Sequence, residues 1–155
     1  MNILLRVLPA AFLILLSIDT HAFHCNVWTS PVSFGNYDVF SASPLDTTGT
    51  ITIECNIKEM EKKPMPVTVA IDNGGTNSFF PRQMRRAGGG VMNYNLYIDS
   101  SRSNIWGDGS SNTSTFTGNI FRNETRTLTI YGRIPPRQNL TAGAYSDSLV
   151  VTVTW

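Results

Sequence analysis

The chain has 155 residues, 41% of them hydrophobic, a formal net charge of +1 and only two cysteines. A balance so near neutrality argues against nucleic acid or an anionic membrane as partner, since both select for concentrated Lys and Arg. The length allows one domain with one core, and too little chain remains for a second.

The N-terminus reads as a leader. Arg6 precedes an almost wholly apolar run over residues 7–18, broken by Pro9, and Thr20-His21-Ala22 fits a small-x-small cleavage site. Such a run is too short to span a bilayer comfortably. It predicts a secretory signal peptide over 1–22 and a mature domain over 23–155. Export into an oxidising compartment follows, where a disulfide is permitted. With no other cysteine present, a Cys25–Cys55 bridge is the one intramolecular connectivity possible, and it would fasten the first strand to the second.

The first strand changes parity at Pro31. Cys25 and Val27 share one face, Val32 and Phe34 the other, which predicts a bulge or a change of sheet there. After a corner over 34–38 and a Ser43-Pro44-Leu45-Asp46 turn, residues 50–57 alternate with period two, placing Ile51, Ile53, Cys55 and Ile57 on one face. Residues 58–66 are charged and proline-ended, a connection. The alternation returns with Val67, Val69 and Ile71, and Asp72-Asn73-Gly74-Gly75 stops it as a turn. Residues 77–90 read as irregular, because Gly88-Gly89-Gly90 makes a poor strand. Met92, Tyr94, Leu96 and Ile98 resume an apolar face, and a polar loop over 99–115 carries Trp106. A strand over 125–134 turns Leu128, Ile130 and Ile134 inward. In the last strand Tyr145, Leu149, Val151, Val153 and Trp155 share one face.

Five or six antiparallel strands without a convincing helix predict an all-β, immunoglobulin-like β-sandwich. The last strand reaches the end of the sequence as given, so its outer edge is expected to lie open, and an open apolar edge invites a partner.

Residues that carry chemistry are sparse. Beyond the leader His24 is the only histidine, and both cysteines are better used in a bridge, so no catalytic triad or Cys/His pair can be assembled and no enzyme is expected. Gly88-Gly89-Gly90 lacks the Lys-Ser/Thr of a phosphate loop, and no cofactor motif is present. Asp99 and Asp108 lack the spacing of a calcium loop and read as turn residues bonding nearby amides rather than metal ligands. Arg82, Arg85 and Arg86, beside Phe79 and Phe80, form the one basic cluster. As a surface contact loop they could hold an acidic surface or a glycan; read plainly, they are a solvated loop beside one buried aromatic.

Several short stretches, taken in order, resemble a known family. They are Cys25 with Val32-Ser33-Phe34-Gly35-Asn36-Tyr37-Asp38, then Pro44-Leu45-Asp46 and Gly49-Thr50-Ile51-Thr52-Ile53-Glu54-Cys55. Arg82-Gln83-Met84, Tyr94-Asn95-Leu96-Tyr97-Ile98-Asp99, Trp106-Gly107-Asp108-Gly109, Tyr131-Gly132-Arg133-Ile134-Pro135 and Ala142-Gly143-Ala144-Tyr145-Ser146-Asp147 follow. Together they look like a spore coat protein U domain, the fold of pilins from archaic, Csu-type chaperone–usher pathways.

The resemblance implies a sandwich lacking its last strand. A periplasmic chaperone lends one first, and the N-terminal extension of another pilin subunit replaces it as the fibre grows through an outer-membrane usher. It further implies an exported fimbrial subunit on the cell surface, contributing to adhesion and biofilm. The acceptor groove would be flanked by Val27 of the first strand and by Leu149, Val151, Val153 and Trp155 of the last. Polymerising members carry a donor arm ahead of the first cysteine strand, whereas the expected mature start leaves only Phe23 and His24 here. That implies a subunit that accepts a strand without giving one. Two other readings share the fold: a coat protein on a spore or cell surface, and a self-contained secreted carbohydrate-binding module.

Overall fold

The computed structural model describes residues 24–56 and 64–155. The expected leader, Ile57 and most of the 58–66 connection lie outside these residues. Among the described residues nine strands follow in order: β1 (His24–Ser30), β2 (Leu45–Asn56), β3 (Met65–Ile71), β4 (Arg82–Arg86), β5 (Val91–Tyr97), β6 (Phe116–Ile120), β7 (Thr125–Ile134), β8 (Tyr145–Ser146) and β9 (Val151–Thr154). Six make one sheet in the order β1-β2-β7-β5-β4-β8, and three make a second in the order β6-β3-β9. All neighbours pair antiparallel. The all-β sandwich expected from the alternating pattern is therefore the fold.

The period-two pattern closes it. On the inner face of the larger sheet, Ile51, Ile53 and Cys55 of β2, Met92, Tyr94 and Leu96 of β5, and Leu128, Ile130 and Ile134 of β7 are buried. Met65, Val67, Val69 and Ile71 of β3 and Ile120 of β6 meet them from the smaller sheet. Full burial of each such aliphatic side chain stabilises by roughly 1.5–3 kcal/mol. Trp106, also buried, donates its indole N–H to the Val69 carbonyl at 3.0 Å while its own backbone N–H bonds Leu96, and so ties one sheet to the other.

Two stretches of the chain depart from the expected pattern. Residues 77–90 are not irregular throughout, because β4 pairs there with both β5 and β8. The three glycines are instead the turn of the β4–β5 hairpin, with φ of 84°, 99° and 103°, a region that glycine enters without strain. The last expected strand is two strands in different sheets: Tyr145 in β8 lies opposite Arg86, and Val151 in β9 lies opposite Ile71. Carboxylates hold the crossing between them. Asp147 Oδ1 accepts from the N–H groups of Gly75 and Ser148, and Asp72 Oδ1 accepts from that of Val150.

Candidate functional site: an open cleft between the sheets

Pro31 cannot donate to a ladder, and β1 ends at Ser30. The chain then crosses the inner face of the larger sheet. Val32 lies over Gly49 of β2, and Val32 and Phe34 lie over Gly132 of β7. A Cβ at position 49 would come within 2.7 Å of Val32 Cγ2, and one at 132 within 2.7 Å of Val32 Cγ1 and 2.8 Å of Phe34 Cζ. Both glycines sit where the alternation calls for an inward side chain, and their bareness is what lets another segment lie there. Phe34 meets Tyr94 edge to face at 6.2 Å. Further along, the Tyr37 hydroxyl donates to the Pro135 carbonyl at 2.8 Å and accepts from the Gln138 N–H at 2.9 Å, and Thr47 Oγ1 donates to the Ser33 carbonyl. Side chains thus pin this ribbon, while no backbone–backbone bond among the described residues engages residues 32–37.

Opposite the ribbon stand residues 140–151. Between the two lies a cleft of about 1290 Å³, floored by Met84, Met92, Tyr94, Leu96, Ile130 and Ile134. The ribbon passes from the level of Gly132 to that of Pro135, while the other wall runs from Tyr145, beside Arg86, to Val151, beside Ile71. The walls therefore run in opposite directions. β9 pairs with β3 on one side, and its other edge has no partner among the described residues.

Of the residues expected to flank a groove, Leu149 and Val151 line this cleft. Val27, Val153 and Trp155 do not. Val27 lies opposite Ile53 within β1, upstream of the point where the chain leaves the sheet, and is 38% exposed. Val153 lies deeper along β9, opposite Val69, and Trp155 follows the strand, half exposed. The first wall is the end of β1, Thr29 and Ser30, continued by the ribbon after it. Its signal in the sequence was Gly49 and Gly132 at inward positions, since a glycine inside a strand often marks close approach of another backbone.

Cys25 and Cys55 are bonded, across directly paired positions of β1 and β2. The basic cluster does not converge on one surface. Arg82 is fully buried, Phe79 is buried beneath its guanidinium at 4.9 Å, Arg86 is half-buried, and Arg85 and Phe80 are exposed. The solvated-loop reading of Arg82 is thus corrected: in β4 it shares the inward parity of Met84. Its Nε and Nη2 donate to the Asp72 carbonyl at 3.0 and 2.7 Å, Nη2 to that of Trp106 at 2.6 Å, and Nη1 to Asn95 Oδ1 at 3.0 Å. Among the described residues no carboxylate stands within ion-pair distance of it, and burial lowers its pKa, though a guanidinium remains charged. It fastens the end of β3 to β4 and β5 beside the cleft. Tyr94 has its phenol pKa pushed far up, first by burial and then by its hydrogen bond to Asp147.

Asp99 and Asp108 bond their own loops. Asp99 accepts from the Ser101 hydroxyl and from the N–H groups of Ser103 and Asn104, which hold its carboxyl down at about 2. Asp108 accepts from the hydroxyl and N–H of Ser110, and its pKa is likewise lowered.

A solved structure shares this architecture. One chain of the crystal structure of the CsuC–CsuE chaperone–tip adhesion subunit pre-assembly complex, from archaic chaperone–usher Csu pili of Acinetobacter baumannii, is similar with a TM-score of 0.57 and 20% identity. The likeness covers 86% of this chain and 40% of that one, and at such identity it is a likeness of fold. The E. coli Hda pilus minor tip subunit HdaB gives a TM-score of 0.42 at 10% identity, over 83% of this chain and 79% of that one. Protein U of Myxococcus xanthus is 29% identical over 130 residues, 80% of this chain and 71% of the relative. The Spore Coat Protein U domain matches residues 10–152, and the chain belongs to that family.

Proposed function

We propose that this chain is a structural subunit of a chaperone–usher fimbria, completing its sandwich with a β-strand supplied by another polypeptide. A periplasmic chaperone fills the cleft during export, a neighbouring subunit fills it in the fibre, and an outer-membrane usher passes the subunit to the cell surface. There it contributes to adhesion and biofilm. The cleft carries the reading. Its floor is apolar, its two walls offer unpaired backbone, and its volume exceeds the roughly 300–1,000 Å³ usual for small-molecule sites. The disulfide fits an oxidising compartment outside the cytoplasm.

Co-expression with the periplasmic chaperone of its own export system tests this. The two are expected to purify as a pair. Val151→Asp, which puts a charge on the cleft wall, is expected to abolish pairing without stopping export across the inner membrane. Val153→Asp lies outside the cleft and is expected to weaken pairing less. A chain that purifies alone, refolds reversibly and ignores Val151→Asp overturns the reading. The family's description and the likeness to Protein U favour one second reading, a surface coat component laid down without fibres; electron microscopy of expressing cells separates the two.

A further inference from the structure

The larger sheet is bare along part of one inner strand. β5 meets β7 only where Asn95, Leu96 and Tyr97 lie opposite Arg133, Gly132 and Tyr131, and from Ile98 the chain turns away to bond Asn104. Residues 125–130 of β7 therefore have β2 on one side and no strand on the other among the described residues. The ladder decides which groups that edge presents. The Thr50 N–H turns toward β1, where Ser30 Oγ accepts it at 2.9 Å, so Gly49 and Ile51 turn toward β7 and bond Ile130 and Leu128. Thr127 and Thr129, of the other parity, direct their N–H and C=O groups to the bare edge.

A slot of about 260 Å³ opens there, between this edge and Phe116 of β6. Buried Trp106 and Leu128 back it, and the Arg126 guanidinium lies 5.7 Å from the Phe116 ring centroid. Among the described residues that guanidinium meets only the Glu124 carboxylate, at 3.5 Å, which offsets its charge and leaves most of its N–H donors unused. No residue lines both this slot and the cleft, so the two sites are independent.

We propose that the slot is a saccharide site, taking the terminal neutral hexose of a glycan. Its volume falls just below the roughly 300–1,000 Å³ of drug-sized ligand sites, room for one ring but not for the length of a peptide strand. A pyranose has an apolar C–H face and a rim of hydroxyls that donate and accept. Phe116 and Leu128 receive the face; the Thr127 and Thr129 backbone groups and the Arg126 fork receive the rim. Glu124 already answers the Arg126 charge, which favours a neutral ring over an anionic one.

Backbone-amide NMR of the full chain, titrated with glucose, galactose and mannose and with oligosaccharides ending in them, tests this. At least one hexose is expected to bind with a Kd on the order of 1 mM, as for a small ligand making few contacts. It should shift the amides of Thr127 and Thr129 more than those of Leu128 and Ile130, which β2 holds, and the oligosaccharide ending in it should bind at least as tightly. Arg126→Gln and Phe116→Ala are each expected to weaken binding about fivefold or more, the former with an unchanged melting temperature. If only the free sugar binds, the assignment to a glycan end fails. If glycerol moves the same amides as far, the slot holds an adventitious additive only and the proposal falls. It falls equally if no hexose moves them, or if an extended peptide does so instead.

Discussion

Two glycines and one arginine set the geometry of the cleft. Gly49 lets the ribbon cross β2, and an added methyl there meets Val32 Cγ2 at 2.7 Å and the Ser30 carbonyl at 3.0 Å. Gly49→Ala is expected to cost about 1–3 kcal/mol, the usual range for overpacking, read as a lowered urea midpoint of the protein. Adding Val32→Ala removes the nearer collision, so the double variant should lose less than the sum of the two single losses; strict additivity would mean that the ribbon does not press on Gly49. Arg82 acts differently. Its four acceptors are the Asp72, Ile71 and Trp106 carbonyls and Asn95 Oδ1, and among the described residues no other side chain donates to the Asp72 and Trp106 carbonyls. Arg82→Met would leave them without a donor and is expected to destabilise by roughly 3 kcal/mol. Arg82→Lys is expected to restore little of this, because an ammonium cannot reproduce the planar fork. Full restoration by Lys would show that charge alone matters at this position.

At the scale of strands, the alternation in residues 50–57, 66–72 and 125–134 revealed β2, β3 and β7, because half-buried strands print their burial pattern directly into sequence. β4 escaped that reading for a physical reason. Its inward residues are Arg82, Met84 and Arg86, so a buried cation stands where the pattern looks for an aliphatic side chain. The split of the last strand escaped too, since Tyr145 and Val151 share parity while lying in different sheets; hydrogen bonds from Asp72 and Asp147, not side-chain period, make the crossing. The open edge of β9 is legible, but the ribbon that continues the cleft's other wall beyond Thr29 and Ser30 is not, because it forms no strand. Among the described residues β1 pairs with β2 alone, to which the bridge also ties it, and six of its seven residues are exposed. The bond joins residues 30 apart in sequence, so replacing both cysteines by Ala is expected to cost about 3–4 kcal/mol in the chain-entropy account. An unchanged melting temperature on reduction would remove the bridge from the list of what holds β1 in place.

For the molecule as a whole, the charged groups predict how stability follows pH. Asp46 accepts two hydrogen bonds from Arg133, at 2.7 and 2.8 Å, and lies 3.3 Å from Arg102; the bond from Arg133 is the main cause of its lowered pKa. Asp99 is held at about 2 by the Ser101 hydroxyl and the backbone N–H groups of its loop. In the unfolded chain both return to about 3.8. A carboxyl whose pKa is lower when folded stabilises the native state fully above its unfolded value and loses that contribution as pH falls through the folded one. Stability is therefore expected to hold between pH 7 and about pH 5 and to fall between about pH 4 and pH 2. Tyr94 works in the opposite sense: its folded pKa lies above the unfolded 10.0, so its contribution is present below pH 10 and lost as pH rises further. The urea midpoint against pH should thus trace a plateau with two shoulders. Asp46→Asn should flatten the acid shoulder, and Tyr94→Phe the alkaline one. A midpoint that does not move between pH 5 and pH 2.5 would mean that neither carboxylate is held by the folded chain, and the Asp46–Arg133 pairing across β2 and β7 would then contribute nothing to the sheet.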